Sequence, residues 1–288
     1  MLISRKERIF LLINNILLAI LGFITLAPFL HVLAKSLSNE ADVSAGLVTF
    51  WPKGLNLKMY KVVLGSEEFV RSFGISVFIT ITGTILSVLI VSFAAYPLSK
   101  KYFKGRKCMS FVFVFTMLFS AGMIPSFLLI KNLGLIDKIW VLIVPGLFST
   151  FNMILMRNYF YTIPPSLEES AKMDGSPNVD IFFKIYLPLS MPALATIAVY
   201  TAVGYWNSYM SALMYINNKT LYPLQMYLRQ MVIDTDAGLV NLNPELINLN
   251  PEALRCSIIV SATVPILLIY PFLQKYFVKG VVLGAVKE

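Results

Sequence analysis

Six long apolar stretches dominate the sequence and restrict the folds that the chain can adopt. Each is close to the length of about 20 residues that a helix needs to cross the hydrocarbon core of a bilayer. They lie near residues 9–34, 73–98, 108–130, 139–156, 189–214 and 255–277. The mean hydropathy of +0.74 corresponds to more apolar surface than the core of a soluble chain of 288 residues requires. We therefore predict an all-α polytopic membrane protein with six transmembrane helices.

The first apolar stretch has a second interpretation, as a secretory signal. Arg5, Lys6 and Arg8 precede it, and the small residues of VLA at 32–34 would suit a cleavage site. The apolar run is, however, longer than the core of a signal, which has about 7 to 15 residues. We therefore predict a retained helix.

Lys and Arg residues in the connections predict the orientation in the membrane. The second connection, SKKYFKGRK at 99–107, is rich in them, whereas KNLGLIDK at 131–138 contains only two. Because basic residues concentrate in short cytoplasmic loops, both termini and the second and fourth connections should be cytoplasmic. The net charge of +9 is distributed over such short clusters, which argues against a nucleic-acid partner.

An acidic and polar island, EESAKMDG at 168–175, separates the fourth and fifth apolar stretches. Ser166 and Glu169 have the spacing of a capping box, which predicts a short helix that begins there. Gly175 is suited to the left-handed residue that ends such a helix. The island should therefore be a short, well-defined helix in a cytoplasmic loop.

A second short helix is predicted to follow directly. Ser176 suits the N-cap position of this helix, and Pro177 suits its first helical position. Its apolar side would be formed by Ile181, Phe182 and Ile185. Both helices would then belong to one cytoplasmic loop at 157–188.

The sequence EESAKMDGSPNVDIFFKIYLP, which begins at Glu168, resembles the EAA loop of the permease subunits of bacterial ABC importers. Ser170 replaces the central alanine of that motif, which is a small-for-small change. The matching residues are Glu169, Ala171, Asp174, Gly175, Ile185, Leu187 and Pro188. The resemblance implies that these residues, with Glu168 and Ser170, couple the chain to a cytoplasmic ATPase. We expect Glu169 to accept hydrogen bonds, either from within the chain or from that ATPase.

Two further segments are similar to the maltose-type, carbohydrate-importing permeases. YWNSYM at 205–210 and LYPLQMYL at 221–228 resemble the exit of their fifth helix, and YFVKGVVLGAVKE at 276–288 resembles their C-terminal ending. This resemblance implies the type I ABC importer permease fold and a MalG-like subunit. It also implies one permease domain over 1–288, with a five-helix core at about 72–277, a coupling loop at 157–188 and an extracytoplasmic loop at 215–254.

The same resemblance implies a set of partners. They are a second, MalF-like permease that forms a heterodimer with this chain, two ATPase subunits that hold ATP and Mg, an extracytoplasmic sugar-binding protein or lipoprotein, and membrane lipid. The chain has no GxxxxGK[ST] motif, so we expect a non-catalytic subunit that binds no cofactor or metal itself.

Aromatic and amide side chains in the apolar stretches are candidates for the substrate path. Sugars are bound by stacking on aromatic faces and by hydrogen bonds from polar side chains. The candidates are Asn152, Tyr205, Trp206, Asn207 and Tyr209. Aromatic residues also anchor membrane helices at the interface, and this alternative stays open.

Other functions fit the sequence less well. A secondary transporter usually has carboxylates within its spans, and the six apolar stretches contain no Asp or Glu. A membrane enzyme would need a catalytic cluster, whereas His31 is the single histidine and is expected to be a packed side chain. An ABC permease for a non-sugar solute is the closest alternative.

Overall fold

The computed structural model describes residues 5–233, 250–265 and 267–268. Every regular element in these ranges is helical, which confirms the all-α prediction. Two helices, α1 (Arg5–Ser36) and α4 (Glu67–Ser99), are long and apolar enough to cross a bilayer. The short helices α2 (Glu40–Ser44) and α3 (Lys58–Gly65) lie between them.

The remaining described helices are shorter. They are α5 (Arg106–Leu118), α6 (Met123–Asn132), α7 (Thr150–Phe160), α8 (Pro165–Met173), α9 (Asn178–Ile181), α10 (Leu187–Leu189), α11 (Met191–Trp206), α12 (Met210–Tyr215), α13 (Leu224–Ile233) and α14 (251–265). A π-helical turn, Phe182–Tyr186, joins α9 to α10. Two 3-10 turns at Ile139–Leu142 and Val144–Gly146 precede α7.

Helix α4 begins at Glu67 rather than at residue 73, where the apolar stretch starts. Glu67 and Glu68 occupy its first turn. Negative charge there interacts favourably with the positive end of the helix dipole. Hydropathy alone therefore misses the first turn of this helix.

Two predicted spans are bent rather than straight, and a third bend lies at the beginning of the fifth predicted span. Helices α5 and α6 meet at 112°, the Ile139–Gly146 segment and α7 at 47°, and the Asn178–Leu189 segment and α11 at 80°. If each bent pair is one span, the described residues contain up to five spans. The sixth predicted stretch lies partly outside the described residues, and α14 covers its beginning.

Prolines mark two of these bends. Pro145 lies in the 3-10 turn at the 47° bend, and Pro192 lies at the beginning of α11, directly after the 80° bend. Pro125 lies in the first turn of α6, where a missing backbone N–H is tolerated. By contrast, Pro28 and Pro97 are accommodated inside α1 and α4. Pro265 is the last residue of α14.

Contacts divide the chain into two compact units, of which the first comprises residues 1–70 and 228–265. In this unit Lys35 pairs with Glu252 at 2.5 Å, and the backbone N–H of Asn250 donates to Glu40 at 3.1 Å. His31 Nδ1 donates to the carbonyl oxygen of Thr49 at 2.6 Å. This bond agrees with the expected packed histidine.

The second unit contains Arg71–Tyr227 and has two hydrophobic clusters. One cluster joins the C-terminal half of α4 to α7, to the loop after α8 and to α11; its members include Val91, Leu98, Met153, Met156, Phe182 and Ile197. The other joins the N-terminal half of α4 to the segments around α6 and α12; its members include Ile79, Ile130, Val141, Ile143 and Tyr215. Helix α4 thus takes part in both clusters.

Asp137 connects two loops at one end of the second unit. Its Oδ1 accepts the backbone N–H groups of Asn217 at 2.5 Å and Asn218 at 2.9 Å, and its Oδ2 accepts from Asn217 Nδ2 at 3.0 Å. Asp137 also has a positive φ of 56°, a conformation that Asp tolerates better than most residues. The hydrogen bonds from Asn217 and Asn218 lower the pKa of Asp137.

We predict that Asp137→Ala lowers the melting temperature of the detergent-solubilised protein because three hydrogen bonds and the favourable turn residue are lost together. A group with a lowered pKa stabilises the fold fully above its ordinary pKa of 3.8, and this contribution disappears as the pH falls through the lowered value. The difference between wild type and variant should therefore shrink in acid. Asp137→Asn, which keeps a side-chain oxygen and the turn preference, is the matched control. An equal loss in both variants would contradict the interpretation.

Candidate functional site

Helix α8 carries the acidic island and begins at Pro165, one residue before the predicted start. Pro164 is the N-cap and no side chain caps the helix, so the capping box predicted from Ser166 and Glu169 is wrong. The physical reason is Pro165 itself, whose fixed φ and missing N–H suit the first helical position. Ser166 is consequently inside the helix.

The other end of α8 is as predicted. Gly175 has a φ of 77° and follows the C-cap residue Asp174. Its N–H donates to Lys172 O at 3.0 Å, and the N–H of Ser176 donates to Ala171 O at 2.9 Å. These two bonds form a Schellman motif, which requires a left-handed residue at this position. A Cβ on Gly175 would meet no atom within 4 Å, so the requirement for glycine comes from the backbone alone.

The second short helix is shifted by one residue from the prediction. Pro177 is the N-cap and α9 begins at Asn178, so Ser176 and Pro177 are not the cap and first residue. The predicted apolar side is confirmed, because Ile181 and Phe182 are buried and Ile185 packs partly against the same cluster. The apolar side of this helix therefore packs into the cluster that it shares with α4, α7 and α11.

Phe182 attaches this loop to α4. Its ring stacks on Phe93 at a centroid distance of 4.8 Å and meets Tyr96 edge-on at 5.2 Å. Both partners belong to α4. Aromatic pairs of this kind add to the free energy gained by burial of the rings.

Glu168 lies at the centre of a buried polar cluster, which we call the carboxylate cage. Its Oε2 contacts Lys100 Nζ at 2.5 Å and accepts the Tyr186 hydroxyl at 2.9 Å. Its Oε1 contacts Lys172 Nζ at 2.7 Å and accepts the Tyr102 hydroxyl at 3.0 Å. Lys100 is only 5% exposed and Glu168 only 7%, so this is a buried ion pair with every carboxylate oxygen satisfied.

The electrostatics of the cage favour the ionised carboxylate. Burial alone would raise the pKa of Glu168, but the hydrogen bonds from Lys100, Lys172 and Tyr186 outweigh it and lower the pKa to about 2. Lys100 Nζ also lies 3.5 Å from the ring centroid of Tyr186 and 4.2 Å from that of Tyr96. These aromatic faces partly replace the water that the ammonium group loses.

Glu169 differs from its neighbour, because it is exposed. The hydrogen bonds within the chain that were expected at Glu169 are made instead by Glu168. On a helix, adjacent residues point about 100° apart, so only one of the pair can face α4. Of the other predicted coupling residues, three are exposed, namely Ser170, Asp174 and Pro188. Two are half-buried, namely Ala171 and Leu187.

A pocket of about 240 Å³ lies among α4, the bend before α7, and α11. Its polar lining consists of Ser87, Ser149, Asn152, Thr201, Tyr205, Ser208 and Ser211, and no charged residue of the described chain lines it. Asn152 Nδ2 donates to Thr201 Oγ1 at 3.4 Å, whereas the buried hydroxyl of Ser87 has no partner among the described residues. The pocket can therefore offer hydrogen bonds to the hydroxyl groups of a polar ligand.

The pocket brings together only two of the five predicted substrate-path residues, Asn152 and Tyr205. Trp206 is turned away and packs edge-on against Phe73 at 5.9 Å. Asn207 donates to Val203 O at 3.0 Å in its own helix, and Tyr209 is outside the lining. Sequence reasoning missed the hydroxyl residues, although Ser and Thr inside apolar stretches are a signal that could have found them.

Tyr205 is fixed between Gly146 of the pocket wall and Gly83 of α4. Its hydroxyl donates to Ile143 O at 2.9 Å. A Cβ on Gly83 would lie 2.5 Å from the Tyr205 ring, and one on Gly146 would lie 3.0 Å from its hydroxyl oxygen. Both glycines are therefore needed for the ring to occupy its place.

Comparisons with known proteins agree with this architecture. Protein LplC of Bacillus subtilis (strain 168) is 43% identical over 99% of this chain and 97% of its own length. The polygalacturonan/rhamnogalacturonan transport system permease protein YtcP of the same organism is 43% identical over 98% of this chain and 99% of its own length.

A solved structure shares the fold along nearly the whole chain. It belongs to a bacterial ABC transporter involved in the import of the acidic polysaccharide alginate, with a TM-score of 0.90 and 36% identity over 95% of this chain and 98% of that chain. Residues 87–283 match one transport family directly. The chain therefore belongs to the family of binding-protein-dependent transport system inner membrane components.

Proposed function

We propose that this chain is the MalG-like permease subunit of an ATP-driven, binding-protein-dependent importer of oligosaccharides. The observation that carries the proposal is the form of α8, which buries Glu168 against the chain and leaves Glu169, Ser170 and Asp174 exposed. A helix that is held firmly on one side and free on the other is suited to docking on a separate subunit. Its exposed residues would contact the ATPase.

The composition of the exposed face supports a protein contact. Met173 is 89% exposed and Leu167 is 42% exposed beside the carboxylates of Glu169 and Asp174. An exposed methionine side chain with polar neighbours is typical of a protein–protein interface whose side chains can adjust to the partner. We assign ATP and Mg to two partner ATPase subunits, with this chain as a non-catalytic component.

Contacts between loops support the proposed orientation. The cage joins Lys100 and Tyr102 of the second connection to Glu168 of the fourth, and both connections are expected in the cytoplasm. Asp137 joins the third connection to Asn217 in the loop at 215–254, and both are expected outside. Each contact thus pairs loops that the charge pattern assigns to the same face of the membrane.

The uncharged pocket supports an oligosaccharide as substrate. Hydroxyl and amide groups around a hydrogen-bonded tyrosine offer the contacts that sugar hydroxyls need. The name of the relative YtcP and the alginate importer of similar structure point to polysaccharides or their oligosaccharide fragments. We assign Asn152 and Tyr205 to the substrate path. This chain and a MalF-like partner would form that path together and open it to one side of the membrane at a time by alternating access.

The decisive experiment is copurification after coexpression with the partner permease, the ATPase subunits and the extracytoplasmic binding protein. We expect an ATPase subunit to copurify with the wild type and to be lost from a Glu169→Lys/Gly175→Val double variant. The first change reverses a charge on the exposed face, and the second forces a β-branched residue into a left-handed conformation.

Gly105→Val is the matched control for backbone strain. Gly105 has a φ of 89° and free space around it, like Gly175, but it lies in the second connection. The control should insert into the membrane and retain the ATPase. If the double variant retains the ATPase as well, the docking assignment of α8 is wrong.

A further inference from the structure

Helix α4 connects the two candidate sites of the second unit. Its last residue, Ser99, directly precedes Lys100 of the carboxylate cage, while Ser87 lines the pocket and Gly83 packs against the Tyr205 ring. At 1.5 Å per residue, Gly83 and Ser99 are separated by about 24 Å along the helix axis. One unbroken helix therefore extends from the coupling loop to the pocket.

We infer that the carboxylate cage makes α8 and α4 move as one body, so that α4 transmits a displacement of the coupling loop to the pocket wall. The inference rests on the proposed function and names its positioning residues, Lys100 and Glu168. Both residues are buried, Lys100 being 5% and Glu168 7% exposed. Their role would be to transmit force rather than to bind the ATPase.

The cage has the properties that such a joint needs. Both carboxylate oxygens of Glu168 have two partners each, and these partners come from the connection that directly follows α4, from α8 itself and from the turn before α10. A fully satisfied buried network has one preferred geometry, because any rotation leaves a charge or hydroxyl unpaired. Phe182 adds an apolar contact to Phe93 and Tyr96 beside it.

The pocket end of α4 is coupled as tightly. Gly83 lies against the Tyr205 ring so closely that a Cβ would be 2.5 Å from it, and Ser87 follows one turn later on the same face. Tyr205 is in turn hydrogen-bonded to Ile143 at the bend before α7. Close-packed groups transmit small displacements because there is no free space to absorb them. Any axial or rotational movement of α4 must therefore displace Tyr205.

The test uses the assembled complex and needs no substrate. Ser208 lines the pocket and is replaced by cysteine as a reporter, after Cys108 and Cys256 are changed to serine. The measurement is the rate at which a small methanethiosulfonate reagent modifies the reporter, with and without ATP and vanadate. We expect a change of roughly fivefold or more, the lower end of ordinary coupling between sites.

Lys100→Met should abolish this nucleotide-dependent change while the ATPase still copurifies. Lys101→Met is the matched control, because it removes the same charge from an exposed neighbour. Lys100→Arg, which keeps the charge, should restore the response. A double variant, Lys100→Met/Glu168→Gln, leaves no bare buried charge and should fold, yet it should show the same loss.

The outcomes separate this inference from the proposed function. If no ATPase copurifies even with the unmodified cage, the proposed function fails. If the ATPase copurifies and the reporter still responds in the Lys100→Met and double variants, the cage does not transmit movement and the inference is overturned. Loss of the ATPase from both variants would also overturn it, because the cage would then only fold the docking surface.

Discussion

Phe182→Ala should detach the coupling loop from α4 and abolish transport. Phe182 is 2% exposed and its ring contacts Phe93, Tyr96 and Phe183 at centroid distances of 4.8, 5.2 and 5.0 Å. Truncation of a buried phenylalanine costs about 3–5 kcal/mol, which is a large fraction of the stability of an ordinary domain, about 5–15 kcal/mol. The loop should then open locally while the membrane helices stay inserted.

Limited trypsin proteolysis in membranes measures this opening. Lys172 and Lys184 lie in the loop and should be cleaved much faster in Phe182→Ala than in the wild type. Phe183→Ala is the matched control, because the neighbouring ring is 44% exposed and should lose far less on truncation. Equal protection of the loop in Phe182→Ala and the wild type would show that Phe182 does not hold it.

Gly83→Ala is the second change with a large expected effect. A Cβ at this position would lie 2.5 Å from the Tyr205 ring, a distance that real Cβ contacts do not show. Overpacking of this kind costs about 1–3 kcal/mol and displaces the ring from the pocket wall. We expect transport of galacturonate oligosaccharides, the probe suggested by the relative YtcP, to fall by about tenfold or more.

Gly74→Ala is its control within the same helix. A Cβ on Gly74 meets no atom within 4 Å, so the substitution should leave transport unchanged and should slightly favour the helix. A double variant, Gly83→Ala/Tyr205→Ala, removes the clashing ring. The added methyl group at residue 83 should therefore cost less stability in the Tyr205→Ala background than in the wild-type background. Additive effects at residues 83 and 205 would disprove the contact.

The sequence was sufficient to predict the helical class, the first two spans and the left-handed role of Gly175. Those features are local, since they depend on apolar length and on one backbone conformation. The capping box at Ser166 failed for a local reason too: Pro165 competes for the start of the helix. The bends at 112°, 47° and 80° are harder to predict, because proline also lies inside unbroken helices, as Pro28 and Pro97 do.

The site was harder to predict than the fold. The motif identified the island, but it could not decide whether Glu168 or Glu169 is buried. That choice depends on Lys100 and Tyr102, which are 66 or more residues away in the sequence. The pocket shows the same limit, since Asn152 and Thr201 come from different helices and meet only in the folded chain.

The bend between α5 and α6 has a consequence for how the protein is made. Phe119 to Gly122 belong to no helix and are exposed, within a stretch that is otherwise apolar. Irregular backbone is tolerated at membrane depth only where protein or water covers it. The segment at 119–122 therefore needs a cover of protein or water at that depth. In the proposed complex the partner permease would supply this cover, so we expect copies of this chain that are synthesised without the partner to be degraded faster.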